Sequence, residues 1–206
     1  QIIPALIAKN QKELNERFDK VKNHFSMFQL DVMDGKFVKN KSLQFDFELP
    51  KNKKYEAHLM VKNPANWIKK NSKKVNTIII HYEGENNILN TINLIKIKKK
   101  KVGLAIDPKT KIENIRKYLS KVDLVLVMTV NPGKYGSKFL SETFKKIREL
   151  RKLKPNLNIE ADGGINDKTI KSLKKLGANL FAVGGYLQRS NNIKESKERL
   201  KIKNLI

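Results

Sequence analysis

The chain has 206 residues, 39% of them hydrophobic, enough to bury a full core as one α/β domain and too few for two comfortable ones. It has no cysteine, which excludes disulfides, thiolate metal sites and a cysteine nucleophile and fits a reducing cytoplasm. The formal charge of +24 invites a nucleic-acid reading, but the lysines are spread over nearly every predicted helix and loop, and no helix-turn-helix, zinc-finger or stacking-platform pattern accompanies them.

The charge therefore reads as a solvated lysine surface that steers anionic ligands. No apolar run reaches the roughly 18–20 residues of a membrane span, and the opening "QIIPALIAKNQKEL" lacks a signal-peptide layout. The expectation is a soluble, cytoplasmic protein with no membrane contact and no nucleic-acid partner.

Along the chain, short apolar runs alternate with amphipathic ones, as parallel strands joined by helices require. The first predicted strand, 2–6, is followed by "QKELNERFDKVKNH", with Leu14, Phe18 and Val21 at helical spacing. The second, 27–31, is followed by a stretch from Lys36 to Lys54 without helical period. The third, 55–60, precedes "NPANWIKKN"; the fourth, 77–81, precedes "NNILNTINLIKIKKK". The fifth, 102–106, leads to "KIENIRKYL", and the sixth, 124–128, to a loop and "SETFKKIRELRKL". The seventh, 158–161, leads to "NDKTIKSLKKLG", and the eighth, 180–183, to "NNIKESKERLKI". Asn63, Ser141 and Asn166 are the predicted helix caps. Eight strands is the number that closes a barrel, so the predicted fold is a single (β/α)8 TIM barrel over 1–206, with its active site at the C-terminal ends of the strands.

Those ends carry an unusual set of residues. The second strand supplies Gln29 and Asp31, the third His58 and Met60, the sixth Met128 followed by "NPGKYGSKF", and the seventh Asp162. A lone aspartate at a strand end is more often a turn or cap residue. Two carboxylates and an imidazole together make a metal site of oxygen and nitrogen ligands, and the carboxylates can serve as acid and base on opposite faces of a substrate. The pairs Gly163-Gly164 and Gly184-Gly185 follow the last two strands, where such barrels hold a phosphate on backbone N–H groups. Either pair alone would read as a tight turn.

The segments "LDVMDGKFV", "AHLMVKNP", "GLAIDPKT", "VLVMTVNPGKYGSKF", "IEADGGIN" and "GANLFAVGGYL" resemble, in order and over essentially the whole chain, the ribulose-phosphate 3-epimerase family. The resemblance implies a barrel of the ribulose-phosphate-binding type, a phosphorylated ketose as substrate and one divalent metal ion, drawn from Zn, Fe, Mn or Co. It makes Asp31 and Asp162 the paired acid and base and also metal ligands, with His58 a third ligand. It places Met33, Met60, Met128, Gly133, Gly136 and Ser137 around the substrate, gives Asp34 and Gly35 a loop-shaping role, and is compatible with a homo-oligomer. The implied reaction is 3-epimerisation of D-ribulose 5-phosphate to D-xylulose 5-phosphate through an enediolate.

The chain departs from the family pattern at several points. Gln29 stands where the family has a histidine ligand, and a neutral amide oxygen suits zinc less than imidazole does. Ala5 replaces a serine, the loop after the sixth strand reads Pro132-Gly133-Lys134-Tyr135-Gly136-Ser137, Asp107-Pro108 replaces Asn-Pro, and Gly184-Gly185 replaces Gly-Ser. Two other functions stay open at this level: 3-epimerisation of a hexulose 6-phosphate, and a phosphosugar-binding barrel with reduced or lost turnover.

Overall fold

The computed structural model describes residues 1–133 and 136–201. Lys134 and Tyr135, part of the loop motif above, and Ile202, the last residue of the final predicted helix, lie outside the described residues.

Nine strands form one sheet: β1 (Ile2–Leu6), β2 (Met27–Asp34), β3 (Lys41–Ser42), β4 (Lys54–Met60), β5 (Thr77–His81), β6 (Lys101–Ile106), β7 (Leu124–Met128), β8 (Asn158–Asp162) and β9 (Leu180–Val183). Eight of them are parallel neighbours in the order β1-β9-β8-β7-β6-β5-β4-β2, and β1 also pairs with β2, with Ala5 opposite Gln29, so the sheet closes on itself. The predicted barrel is therefore present. The second strand runs three residues beyond its predicted end because β3 folds back antiparallel on it, placing Met33 opposite Ser42 and Asp34 opposite Lys41. This hairpin occupies the stretch that lacks helical period.

The helices cover the outside of the barrel: α1 (Gln11–Val21), α2 (Ala65–Asn71), α3 (Ile88–Ile97), α4 (Ile112–Ile115), α5 (Phe144–Leu153), α6 (Thr169–Lys175), α7 (Gly185–Gln188) and α8 (Ile193–Leu200). Leu14, Phe18 and Val21 of α1 are its buried residues, as their spacing predicts, and Phe18 meets Phe28 of β2 with ring centroids 4.8 Å apart. Three asparagines cap helices: Asn10, Asn87 and Asn192 accept from the backbone N–H groups of Glu13, Asn90 and Glu195 at 2.9, 3.1 and 3.0 Å. Of the predicted caps, only Asn166 accepts in this way, from Lys168 and Thr169. Asn63 has φ of 53° and precedes a helix without a side-chain cap bond, and Ser141 opens a short 3-10 turn ahead of α5.

Strand alternation divides the side chains into two sets. Phe28, Leu30 and Val32, with Tyr55, Ala57 and Leu59 on the neighbouring strand, join the large core between barrel and helices. The intervening residues point into the barrel, where register sets Gln29 beside Glu56, Asp31 beside His58 and Met33 beside Met60. One wall of the interior, built from Ile79, Ala105, Leu124, Leu126, Met128 and Val130, is apolar. The facing wall from β2, β4 and β8 is polar, and it holds the candidate site.

Candidate active site

Asp31, His58 and Asp162 project from β2, β4 and β8 and bring one ligand atom each within 4.8 Å of the others. His58 Nδ1 lies 3.4 Å from Asp31 Oδ1 and 3.1 Å from Asp162 Oδ2; the imidazole is fully buried, and the carboxylate side chains are 8% and 13% exposed. Burial pushes the Asp31 carboxyl up, and the Asp162 charge adds to that push. Burial alone would pull His58 down, but hydrogen bonds to Asp162 and Asp31 reverse this and raise it to about 10. The arrangement is thus two anions competing for whatever positive charge lies between them.

Gln29 supplies part of that charge as a dipole. Its Nε2 donates to Asp31 Oδ1 at 2.8 Å and to Asp162 Oδ2 at 2.7 Å, while its Oε1, on a side chain with no exposure, has no partner among the described residues. An amide turned by half a rotation exchanges these two atoms, so the same side chain can present oxygen to a cation and nitrogen to carboxylates. The donor set of two carboxylates, one imidazole and one such amide fits a divalent ion of the harder kind. One layer deeper, Glu56 and Glu160 have no solvent exposure, none of their carboxyl oxygens has a hydrogen-bond partner among the described residues, and burial raises both, Glu56 to about 8.

Above the cluster a single cavity is bordered by Asp31, Asp162, Met33, Met60 and Met128, by Gly133, Gly136 and Ser137, and by Gly163, Gly164, Gly184 and Gly185. The structure therefore brings together every site residue named from sequence, with His58 and Gln29 buried just beneath. Gly163 and Gly164 have φ of 112° and 64°, and a Cβ on Gly163 would stand 2.3 Å from Val130 Cγ2, so this turn admits no side chain. Gly184 leads into α7, a four-residue helix that periodicity could not reveal. Asp34 has the expected structural role: Oδ1 accepts from the N–H groups of Lys36 and Phe37 and Oδ2 from Lys62, at 2.8, 2.9 and 2.9 Å.

Sequence reasoning missed Arg189, Tyr186 and Asn166 on the same cavity. It also missed a second group behind His58, consisting of His81, Glu83 and Asp107. The "HYEG" run at the end of the fourth predicted strand was the signal for two of its members.

A closed parallel barrel carrying an acid–imidazole–acid cluster and paired glycines at the C-terminal ends of its strands belongs to the class of (β/α)8 barrel enzymes. The family model described as "Ribulose-phosphate 3 epimerase family" matches residues 1–188, and the chain belongs to that family. It is 37% identical over 202 residues to the ribulose-phosphate 3-epimerase of Buchnera aphidicola subsp. Baizongia pistaciae, covering 91% of this chain and 88% of that protein. It is 34% identical over 194 residues to the ribulose-phosphate 3-epimerase, cytoplasmic isoform, of Oryza sativa subsp. japonica, covering 89% and 85%. Among solved structures, 3-hexulose-6-phosphate synthase from Salmonella typhimurium shares the fold, with a TM-score of 0.69 over 97% of this chain and 96% of that one at 14% identity. Among the described residues, no helix is long and apolar enough to cross a membrane.

Proposed function

We propose that the chain interconverts D-ribulose 5-phosphate and D-xylulose 5-phosphate, with Asp31 and Asp162 as the two proton-transfer groups. The observation that carries this reading is that two carboxylates within 3.4 and 3.1 Å of one imidazole nitrogen border the same cavity as two glycine turns suited to a phosphate. The names of the curated relatives support the same reaction.

The proton to be moved lies on C3, beside the ketone, and is weakly acidic. One aspartate takes it from one face of the carbon, and the other delivers a proton to the opposite face, inverting C3. Burial favours the protonated form of Asp31, which strengthens it as a base. Asp31, His58 and Asp162 would hold the divalent ion, with the Gln29 oxygen as a fourth donor. When bound, that ion supplies positive charge against the negative charge that develops on the oxygens next to C3. Met33, Met60 and Met128 border the reacting end with apolar surface and keep water from it, while the backbone at Gly163, Gly164, Gly184 and Gly185 receives the phosphate. Gly133, Gly136 and Ser137 close the side of the cavity formed by the loop after β7. A cytoplasmic location belongs to the same proposal, supported by the name of the relative from Oryza sativa.

The test is turnover of ribulose 5-phosphate by the wild type, Asp31→Asn and Asp162→Asn, each with and without added divalent ions, and with a hexulose 6-phosphate as comparison substrate. Each substitution is expected to lower kcat by at least about 10²- to 10⁴-fold. Near-native turnover in either variant rejects the two-aspartate assignment. Sugar phosphate binding without wild-type turnover would make this a binding barrel.

A further inference from the structure

His58 touches the reaction centre with one ring nitrogen and something else with the other. Its Nε2 lies 2.8 Å from Nε2 of His81, and the two buried rings are 20° from coplanar with centroids 4.9 Å apart, which describes imidazoles meeting nitrogen to nitrogen rather than face to face. On the far side of His81, Nδ1 lies 3.3 Å from Glu83 Oε2 and 3.2 Å from Asp107 Oδ1. Glu83 is fixed in turn, because its other oxygen accepts from the backbone N–H of Asp107 at 2.9 Å and from the Thr110 hydroxyl. Asp31 and Asp162 are thereby connected through two rings to a second pair of carboxylates.

Two nitrogens at that separation share one proton, and its location decides what His58 can do. If His81 Nε2 carries it, His58 Nε2 must accept, and a neutral His58 then has its proton on Nδ1, where no metal can be ligated. If His58 Nε2 carries it, His58 Nδ1 is free to present a lone pair between Asp31 and Asp162. His81 is then the acceptor at Nε2 and needs an acceptor for its own Nδ1–H. Glu83 Oε2 stands where that acceptor is required, and the Asp107 carboxylate, 3.2 Å from the same nitrogen, adds its negative charge.

The geometry points to Glu83, Asp107 and His81 as positioning residues: the two carboxylates hold His81 as the Nδ1–H tautomer, and the proton shared with His58 thereby keeps His58 Nδ1 facing the reaction centre as a ligand. This rests on the proposed metal role of Asp31, His58 and Asp162. It also assigns the outer cluster. His81, Glu83 and Asp107 satisfy the spacing of a metal site, but an ion on His81 Nδ1 would send the shared proton to His81 Nε2 and disarm His58. The two clusters cannot both be metallated while the rings share one proton, so the outer group is a proton acceptor and the chain binds one ion. Asp107, which departs from the family's asparagine, adds a second negative charge to that function.

The chain has three histidines, which makes side-chain 15N NMR tractable on the full protein. The expected spectrum shows His81 protonated on Nδ1 and not on Nε2, both in the metal-free protein and with zinc added, and His58 protonated on Nε2 alone with zinc bound. A zinc titration against a chromophoric chelator should give one ion per chain. Combining Glu83→Gln with Asp107→Asn should weaken zinc about 10- to 100-fold. In a His81→Asn background the same pair should cost little, because the introduced amide oxygen accepts from His58 Nε2–H without help. Protonation of His81 on Nε2, two zinc ions per chain, or equal losses in the two backgrounds would each overturn the assignment. Failure of the wild type to bind zinc would remove the metal reading, while the His81 tautomer of the metal-free protein would still decide this one.

Discussion

Gln29 and Asp162 lie 133 positions apart in the chain and are joined by a hydrogen bond of 2.7 Å, with the amide nitrogen as donor. Because the same nitrogen also reaches Asp31, the amide stands between the two carboxylates as a neutral stand-in for a cation. To serve a metal it must turn its oxygen inward and give up both bonds. Gln29→His should therefore raise zinc affinity, and activity at limiting zinc should rise with it. Chelator competition on both proteins, paired with turnover at each zinc level, measures this; equal affinities would show that the amide coordinates as well as an imidazole.

The buried acid pair below the site predicts a pH effect on stability in the metal-free protein. Glu56 is raised to about 8 from 4.5, so the folded state retains a proton that the unfolded chain releases. Stability is then full below about pH 4.5 and falls as pH rises towards 8, by up to about 1.4 kcal/mol per pH unit for each retained proton. Glu56→Gln, which mimics the protonated acid, should flatten this decline. Urea unfolding of both proteins between pH 5 and 8 distinguishes the two slopes; parallel slopes would mean that Glu56 is ionised in the fold.

Asp34 titrates in the opposite sense. Burial opposes its ionised form, but the backbone N–H groups of Phe37, Lys36 and Lys62 outweigh that and hold its carboxyl below the ordinary range. The stabilisation is present above the unfolded pKa and is lost as pH falls through the depressed native one. Asp34→Ala should cost about 1–2 kcal/mol at neutral pH, a figure kept low because the site is largely solvated. The gap between the two proteins in urea melts should narrow as pH falls below the ordinary carboxylate range, and a gap that persists there would point to packing rather than charge.

Gly163 and Gly177 separate phosphate binding from backbone strain. Both have positive φ, 112° and 107°, and a Cβ on either would collide, with Val130 Cγ2 at 2.3 Å or Arg151 Cγ at 2.7 Å. Gly163→Ala and Gly177→Ala should each lose about 1–3 kcal/mol of stability. Only Gly163→Ala should also weaken inorganic phosphate, as read by calorimetry. Equal phosphate affinity in the two variants would place the anion elsewhere.

The strands were legible because a doubly covered parallel strand is written as an unbroken apolar run, as in "TIIIH" and "LVLVM". The candidate site was legible because its acids and imidazole interrupt such runs, where packing alone would not put them. The β2–β3 hairpin was not, since two bridging pairs leave no periodicity to read. Nor were the caps. Asn63 and Asn87 look alike in sequence, and only the backbone, with φ of 53° at the first and −131° at the second, decides which accepts a helix N–H. The grouping of His81, Glu83 and Asp107 escaped notice for a different reason: its proposed role lies in which nitrogen holds a proton, and no spacing encodes that.

The seam of the barrel constrains the order of assembly. β1 closes the sheet only by pairing with β9, through Ile2 opposite Phe181 and Pro4 opposite Val183, while its other edge meets β2. The chain's earliest strand must therefore wait for the latest one to be made. At about 5–20 residues per second, Asp162 leaves a ribosome roughly 5–21 s after His58. Through that interval Asp31 and His58 are present without their third companion, and two weak donors on an open sheet edge have little hold on a passing ion. On the proposed metal role of these residues, the choice of ion would be deferred until translation of β8 and β9 is complete, when the finished cage, rather than the nascent chain, decides which ion is kept.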